Sequence, residues 1–222
     1  MSTRVVPPRA VVFDLDGTLI DSLPLVLASI THAVAPYGVR PTMEIFAQLG
    51  GPPERFMLEL VRERRHLPDA LARMETYHRA NTHLIQPFDG AATLLEFLGR
   101  TGVKRAIWTG RDRRSTESLL HELGLATSFV TVLCGDDLDT HKPDPAGLRE
   151  ILRRLEVAPA ETLYIGDADV DVLGGSACGV ETMLIRHGRS IEPAIAGRAG
   201  RMAASPRDAY TAILEKFGSF SS

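Results

Sequence analysis

The stretch that decides the fold is Arg9–Leu19, which reads RAVVFDLDGTL. A short run of β-branched and apolar residues ends here in an acidic turn that contains Gly17, the pattern of a buried strand that passes into a loop. Helical periodicity separates this run from four similar ones, and all of them are continuously apolar rather than alternating. The sequence therefore predicts an α/β fold with a doubly wound parallel sheet (Rossmann-like) and helices on both faces. The four later strands are expected at Val103–Thr109, Phe129–Leu133, Thr162–Ile165 and Glu181–Ile185.

One region has no strand pattern and reads as helical throughout. We predict an inserted all-helical cap domain over residues 20–86 and a catalytic core formed by residues 1–19 and 87–222. Because the insertion follows the first strand directly, it is expected beside the carboxyl ends of the strands, where open α/β sheets bind ligands. It would then act as a lid, and the alternative is a helical bundle that only stabilises the sheet. The predicted helical stretches are Leu23–Tyr37, Glu44–Leu49, Glu54–Arg65 and Ala70–Leu84, and Arg186–Arg207 reads as a loop.

Composition and charge are those of an ordinary soluble protein. The chain of 222 residues has a net charge of −3, with 44% hydrophobic and 24% charged residues. This predicts no nucleic-acid partner, and no apolar run approaches the roughly 18 residues that a membrane span needs. The two cysteines, Cys134 and Cys178, lack metal spacing and are expected to be free thiols in a cytoplasmic protein. The sequence carries no signal of the oligomeric state.

Polar side chains are expected to meet at the carboxyl edge of the sheet. At about 4 Å and an effective dielectric of about 20, two carboxylates repel by roughly 4 kcal/mol, so a cation must be present. Carboxylates without a nearby histidine or cysteine ligand favour Mg²⁺ over zinc. The converging residues are Asp14 and Asp16 after the first strand, Thr109 after the second, Lys142 beyond the third, and Asp167 with Asp171 after the fourth.

The spacing of these residues suggests phosphoryl chemistry. Of the paired Asp14 and Asp16, one carboxylate can attack phosphorus in line while the other moves a proton. Gly17 permits a sharp turn whose amides can hold phosphate oxygens. Thr109 and Gly110 precede a predicted helix, and a hydroxyl group and amides at a helix start suit an anion.

Four segments resemble, in order, the four motifs of the haloacid dehalogenase superfamily. They are Asp14-Leu-Asp-Gly-Thr-Leu-Ile-Asp-Ser22, the strand-terminal Thr109, Lys142-Pro, and Gly166-Asp-Ala-Asp-Val-Asp171. The resemblance covers nearly the whole chain, because the helical insertion is similar to the cap that this superfamily carries between its first two motifs.

The resemblance implies a role for each matching residue. Asp14 would be the nucleophile, Asp16 the general acid and base, and Thr109 a ligand of the transferring phosphoryl group. Lys142 would neutralise the phosphoryl charge and orient Asp14. Mg²⁺ would be held by Asp14, by the main-chain carbonyl of Asp16 and by Asp167, with Asp171 supporting from nearby.

Motif details favour a phosphatase for a small phosphorylated metabolite. The pair Gly166-Asp167, with a second aspartate four residues on, is similar to phosphoglycolate phosphatases and related pyrophosphatases and nucleotidases. Gly110 replaces a common asparagine, so the group that helps Thr109 hold phosphate there stays open. Arg55 and Arg111 are candidate substrate contacts, with solvated surface arginines as the alternative. The competing functions are a phosphosugar mutase or phosphotransferase of the same superfamily, and a non-enzymatic receiver module.

Overall fold

The computed structural model describes residues 8–42 and 53–218. Within these ranges the chain forms a six-stranded sheet, in the order β5-β4-β1-β6-β7-β8, and a separate two-stranded sheet of β2 and β3. The strands are β1 (Ala10–Phe13), β2 (Ile20–Asp21), β3 (Gln86–Pro87), β4 (Lys104–Trp108), β5 (Thr131–Leu133), β6 (Thr162–Gly166), β7 (Glu181–Ile185) and β8 (Arg201–Ala203).

All pairings within the six-stranded sheet are parallel. Strand β1 is central: Val12 stands opposite Ala106 of β4 on one side and Tyr164 of β6 on the other. The chain builds the sheet outward from β1 through β4 to β5, and then returns to β1's other side with β6. The predicted doubly wound α/β fold is confirmed, and the reversal makes the carboxyl end of β1 the switch point at which such sheets bind ligands.

Helices connect the strands and cover the sheet. Their periodicity is plainest in the helix Ala146–Leu155, where Leu148, Ile151, Leu152 and Leu155 form one buried face. All four residues of β1 are fully buried, as a strand covered on both faces requires. The helices are α1 (Leu23–Val34), α2 (Pro53–Val61), α3 (Leu67–Ala80), α4 (Ala91–Arg100), α5 (Arg113–Glu122), α6 (Ala146–Leu155), α7 (Asp169–Ala177), α8 (Pro193–Ala196) and α9 (Pro206–Gly218).

The chain divides into two compact units, one of Met1–Asp21 with Pro87–Ser222 and one of Ser22–Gln86. The second unit contains α1, α2 and α3 and has a core of its own. The helix predicted at Glu44–Leu49 lies outside the described residues. The buried apolar residues of this unit include Ile30, Ala33, Val34, Met57, Leu60, Val61 and Ala70.

The loop predicted at Arg186–Arg207 is wrong in part, because α8 and β8 lie within it. Strand β8 has three residues, of which Arg201 and Met202 are exposed. An edge strand this short shows neither an apolar run nor an alternating pattern, so its pairing with β7 is visible only in the structure.

Candidate active site

The site begins where three neighbouring strands of the core end. Asp14 directly follows β1, Thr109 follows β4 and Asp167 follows β6. The sheet pairing continues past the strand ends: the Asp14 amide donates to the Ile165 carbonyl at 2.8 Å, and the Thr109 amide to Leu133 at 3.0 Å. The backbone therefore fixes where each of these side chains starts.

Lys142 links the nucleophile candidate to the aspartate of α7. Its Nζ donates to Asp14 Oδ1 at 2.7 Å and to Asp171 Oδ1 at 2.8 Å. Burial lowers the pKa of Lys142, but the two carboxylates more than offset burial and hold the pKa above its usual value. The lysine is therefore a permanent cation at this edge of the sheet.

Asp171 is almost wholly buried and both of its oxygens are engaged. Oδ1 accepts from Lys142 and from the Tyr164 hydroxyl group at 2.6 Å, while Oδ2 accepts from the Ala168 amide at 2.9 Å. The amide contact is one that a residue in the first turn of a helix commonly makes. Asp171 thus orients Lys142 and also caps α7.

Two aromatic rings complete the surroundings of Lys142. Its Nζ lies 5.1 Å from the ring centroid of Trp108 and 5.5 Å from that of Tyr164. Trp108 packs closely against Gly174, because a Cβ on this glycine would lie 2.8 Å from the indole ring. As expected for a core residue, Trp108 is buried and packs with Leu133 and Tyr164.

Asp14, Asp167 and Asp171 offer oxygens that all lie within 4.8 Å of one another. Burial, and next the charge of Asp171, raises the pKa of Asp167 to about 6. Burial also raises the pKa of Asp14 well above its ordinary value, against the attraction of Lys142. The negative charge of these carboxylates exceeds the positive charge beside them. A hard divalent cation prefers a set of ligands made of carboxylate oxygens. Because Asp171 is already engaged, Asp14 and Asp167 are the carboxylates that fit such a cation.

Asp16 has a partner that sequence reasoning did not pair with it. Arg111 donates from Nε to Asp16 Oδ2 at 3.1 Å and from Nη2 to Oδ1 at 2.5 Å. The Arg111 amide also donates to the Thr109 hydroxyl group at 3.1 Å. Burial lowers the pKa of Arg111, but Asp16 more than offsets burial, so the guanidinium stays charged. Arg111 therefore joins the acid/base candidate to the predicted phosphate ligand.

Close backbone approach explains two glycines of the site. Gly17 has a φ of +74°, and a Cβ there would lie 2.2 Å from Asp167 Oδ2. A Cβ on Gly166 would lie 2.3 Å from Asp171 Oδ2. Side chains at these positions would displace the carboxylates, so space requires glycine at both, and the positive φ requires it at Gly17 as well.

A loop after β7 also reaches the site, and sequence reasoning missed it. His187 Nε2 lies 2.6 Å from the Gly17 carbonyl oxygen, and Arg189 donates to the main-chain carbonyl of Asp167 at 2.5 Å. Arg189 also donates to Asp169 at 2.9 Å. The loop thereby contacts the backbone of the turn after β1 and of the turn after β6. In the sequence, the segment His187-Gly188-Arg189 indicates a site only weakly, because its one feature is two basic residues after a buried strand.

Comparison with known proteins identifies the family. The family described as haloacid dehalogenase-like hydrolase matches residues 11–185. Phosphoglycolate phosphatase 1 of Pseudomonas aeruginosa is 32% identical over 191 residues, covering 82% of this chain and 70% of that protein.

The chain belongs to the haloacid dehalogenase-like hydrolases.

A second relative in this family is the pyrophosphatase PpaX of Halalkalibacterium halodurans, 30% identical over 187 residues, with 80% of this chain and 83% of that protein covered. Among solved structures, a putative β-phosphoglucomutase from Thermotoga maritima has a TM-score of 0.81 at 24% identity, covering 93% of this chain and 99% of that one. This structural likeness concerns the fold alone.

The remaining candidates of this haloacid dehalogenase-like hydrolase lie as follows. Gly110 leaves open space, because a Cβ there would meet no described atom within 4 Å. Arg55 belongs to the helical unit, where it is 74% exposed and 3.8 Å from Glu59 on the same helix. Both cysteines are free thiols, and Cys178 is only half-buried. Among the helices of residues 8–42 and 53–218, none combines the length and apolar character that a membrane span requires.

Proposed function

We propose that this protein is a magnesium-dependent phosphatase that hydrolyses a small phosphorylated metabolite through an aspartyl-phosphate on Asp14. The observation that carries the proposal is the 2.7 Å contact between Asp14 and Lys142 at the carboxyl end of the central strand. A buried carboxylate held by a buried ammonium is placed to attack an anion that the same ammonium attracts. Family membership and relatives named phosphoglycolate phosphatase and pyrophosphatase support the same reaction class.

In the first half of the reaction, a carboxylate oxygen of Asp14 forms a bond to phosphorus as the ester P–O bond breaks. Asp16 gives its proton to the departing oxygen, so the leaving group is released as an alcohol. Lys142 balances charge on the phosphoryl oxygens, and the Thr109 hydroxyl group contacts them.

In the second half, water attacks the phosphorus of the aspartyl-phosphate. Asp16 accepts a proton from the water, the bond between phosphorus and Asp14 breaks, and inorganic phosphate leaves. One side chain therefore serves as acid and then as base, which restores the starting protonation state.

Magnesium would be held by Asp14 and Asp167, together with the main-chain carbonyl of Asp16, the ligand implied by the family resemblance. Their donor set is entirely oxygen, and the raised pKa values of both carboxyl groups reflect a need for positive charge. When bound, the ion would offset the charge of the carboxylates and of the phosphate that enters beside them.

The helical unit is a proposed lid. The chain carries this unit between β2 and β3, after the first strand of the core. As in the sequence analysis, we assign the core to residues 1–19 and 87–222 and the cap to residues 20–86.

The experiment is a phosphate-release assay with the full chain. The panel contains 2-phosphoglycolate, pyrophosphate, nucleoside monophosphates and sugar phosphates, each with Mg²⁺ and with EDTA. We expect multiple turnovers that stop in EDTA and return with Mg²⁺, and mass spectrometry of quenched enzyme should find the phosphoryl group on Asp14. Asp14→Asn is the matched control, which should carry no label and lose turnover by roughly three orders of magnitude or more.

The same assay separates the alternatives. A mutase or phosphotransferase would move the phosphoryl group to an added sugar hydroxyl faster than to water. A receiver module would become labelled once without turning over. Full activity in EDTA, or a label on a residue other than Asp14, would contradict the proposed mechanism.

A further inference from the structure

We propose that Arg111 selects the substrate by binding a second anionic group, a carboxylate or a phosphate, on the leaving group of the ester. The inference rests on the proposed function, because it takes Asp16 as the residue that faces the leaving-group oxygen. It goes further by naming the class of leaving group and the residue that recognises it.

The first step is the position of the guanidinium. Nε and Nη2 of Arg111 bind the two oxygens of Asp16 at 3.1 Å and 2.5 Å, a fork in which one carboxylate is held by two parallel hydrogen bonds. A residue bound in this way to the proton donor lies beside the oxygen that receives the proton. Any charged group close to the ester oxygen on the leaving-group side therefore comes within reach of Arg111.

The second step is that Arg111 retains donor capacity. Among hydrogen bonds of the described residues, those of the Arg111 side chain use Nε and Nη2, while Nη1 takes part in none. The side chain is 14% exposed and its partner Asp16 is 35% exposed, so the pair borders solvent rather than the closed core. A guanidinium that binds one carboxylate along one edge can still donate hydrogen bonds from its remaining nitrogen to a second anion.

The third step is the charge of the site. Among the described residues, the side chains of Lys142 and Arg111 are the cations that hydrogen-bond carboxylates of the set Asp14, Asp16, Asp167 and Asp171, which outnumber them. Arg189 instead binds the main-chain carbonyl of Asp167 and the carboxylate of Asp169. Lys142 is enclosed by Asp14, Asp171 and two aromatic rings, so its ammonium is committed to the nucleophile and the transferring phosphoryl group. Arg111 is then the cation available to the leaving group. A neutral alkyl group gains nothing from it, whereas a carboxylate or phosphate does.

The fourth step concerns the anchor of the Arg111 backbone. Its amide donates to the Thr109 hydroxyl group at 3.1 Å, so the residue starts at the predicted phosphate ligand and extends to Asp16. In a suitable substrate, the transferring phosphoryl group and the second anionic group are therefore close together. Compact substrates with the second charge a few bonds from the oxygen that leaves phosphorus fit this arrangement. They include a two-carbon phosphorylated acid, which is an ester, and pyrophosphate, which is an anhydride.

A purely positioning role for Arg111 makes a different prediction. If the arginine only orients Asp16, its replacement lowers kcat by one factor for every alkyl phosphate. If it binds the leaving group, the loss depends on the charge of that group and appears mainly in KM. The two readings are therefore separated by kinetics on matched substrates.

The test uses the full chain with Mg²⁺ and four probes: 2-phosphoglycolate, its methyl ester, ethyl phosphate and pyrophosphate. The wild type should have a higher kcat/KM for 2-phosphoglycolate, whose leaving group carries a carboxylate, than for its methyl ester, whose leaving group is neutral. Arg111→Gln should lower kcat/KM by about 10- to 100-fold for the two probes with an anionic leaving group, 2-phosphoglycolate and pyrophosphate. The loss should appear mainly in KM, and its size is the range expected for a charge-assisted hydrogen bond. For the two probes with an uncharged leaving group, the methyl ester and ethyl phosphate, we expect a change of less than about threefold. Pyrophosphate separates a general anion site from one specific for carboxylates.

Arg114→Gln is the matched control, because Arg114 is an exposed arginine near the start of α5 and should leave all four rates unchanged. Arg111→Lys keeps the charge without the fork and should give an intermediate loss on the anionic probes, and it serves if Arg111→Gln does not fold. Equal losses on all four probes, or no preference of the wild type for the free acid over its methyl ester, would overturn the inference. Failure of the wild type on all four probes while it hydrolyses another phosphate of the panel would also overturn the inference, whereas failure on the whole panel would refute the proposed function.

Discussion

The hydroxyl group of Tyr164 donates a 2.6 Å hydrogen bond to Asp171 Oδ1, the oxygen that also accepts from Lys142. Both Tyr164 and Asp171 are buried. Burial, and next the charge of Asp171, raises the pKa of Tyr164 well above its ordinary value, so the hydroxyl group remains a donor. A tyrosine in the middle of a core strand thus orients the carboxylate that holds the lysine of the site.

Replacing Tyr164 with phenylalanine removes this donor while keeping the ring. We expect Tyr164→Phe to lower the free energy of unfolding by about 1–2 kcal/mol, measured by urea denaturation. We also expect kcat to fall about tenfold, because Lys142 loses part of its support. Tyr210→Phe is the matched control, since the Tyr210 hydroxyl group is also buried and donates to the Thr18 carbonyl at 2.5 Å. The same loss of kcat in both variants would mean that Tyr164 has no specific role.

Asp16→Asn separates the two halves of the reaction. Alkyl phosphates need a proton on the leaving oxygen, so their turnover should fall by about two to four orders of magnitude. Acetyl phosphate has a better leaving group and should still phosphorylate Asp14, leaving the acyl-phosphate trapped. The measurement is the stoichiometry of phosphorylated enzyme by intact mass. Equal losses on both kinds of donor without trapped enzyme would show that Asp16 is only structural.

Gly17→Ala tests the close approach of Gly17 to Asp167. The new Cβ would lie 2.2 Å from Asp167 Oδ2 at a φ of +74°, so the carboxylate must move. Gly124→Ala is the control for conformation alone, because Gly124 has a φ of +69° and no described atom within 4 Å of the added Cβ. Both variants should lose about 1 kcal/mol in urea denaturation. Weaker Mg²⁺ binding in calorimetry is expected for Gly17→Ala alone, and unchanged affinity would count against Asp167 as a ligand.

Acid stability should depend on Asp137. A hydrogen bond from Arg113 lowers the pKa of Asp137, and the Cys134 amide donates to the same carboxylate at 2.8 Å. The unfolded chain then binds the proton more readily, so the stabilisation is complete above the ordinary aspartate pKa of about 3.9 and disappears as the pH falls through the lower folded value.

We therefore expect Asp137→Asn to be less stable than wild type by about 1 kcal/mol between neutral pH and about pH 5, with the difference shrinking below about pH 4. Urea denaturation across this range measures it. Asp139→Asn, at an exposed carboxylate two residues on, should change stability little throughout. A difference for Asp137→Asn that grows on acidification would contradict the assignment.

Local patterning was sufficient to predict the fold class. Glu181–Ile185 has the predicted bounds, and the strand predicted at Val103–Thr109 is observed at Lys104–Trp108. Central parallel strands are fully buried, so their apolar runs stand out from the surrounding sequence. The strand predicted at Phe129–Leu133 is shorter and is observed at Thr131–Leu133. It is an edge strand of the sheet and buries less apolar surface than a central strand does.

Pairings between distant side chains were not predictable in the same way. Arg111 and Asp16 are 95 residues apart, and each was assigned a role without the other. His187 Nε2 contacts the Gly17 carbonyl oxygen, although the two residues are 170 positions apart in the sequence. Such contacts depend on the reach of a flexible side chain and on loop geometry, and neither leaves a periodic pattern in the sequence.

Trp108 is the single tryptophan of the chain, and its ring lies 5.1 Å from the Lys142 ammonium. Indole emission responds to nearby charge, so the tryptophan fluorescence of this protein originates beside the lysine that we propose faces the phosphoryl group. Arrival of an anion or a cation at the site should therefore be visible as a change in emission, without any added label. Stopped-flow recording of that signal would follow single turnovers in real time, and the wild-type sequence already contains the reporter.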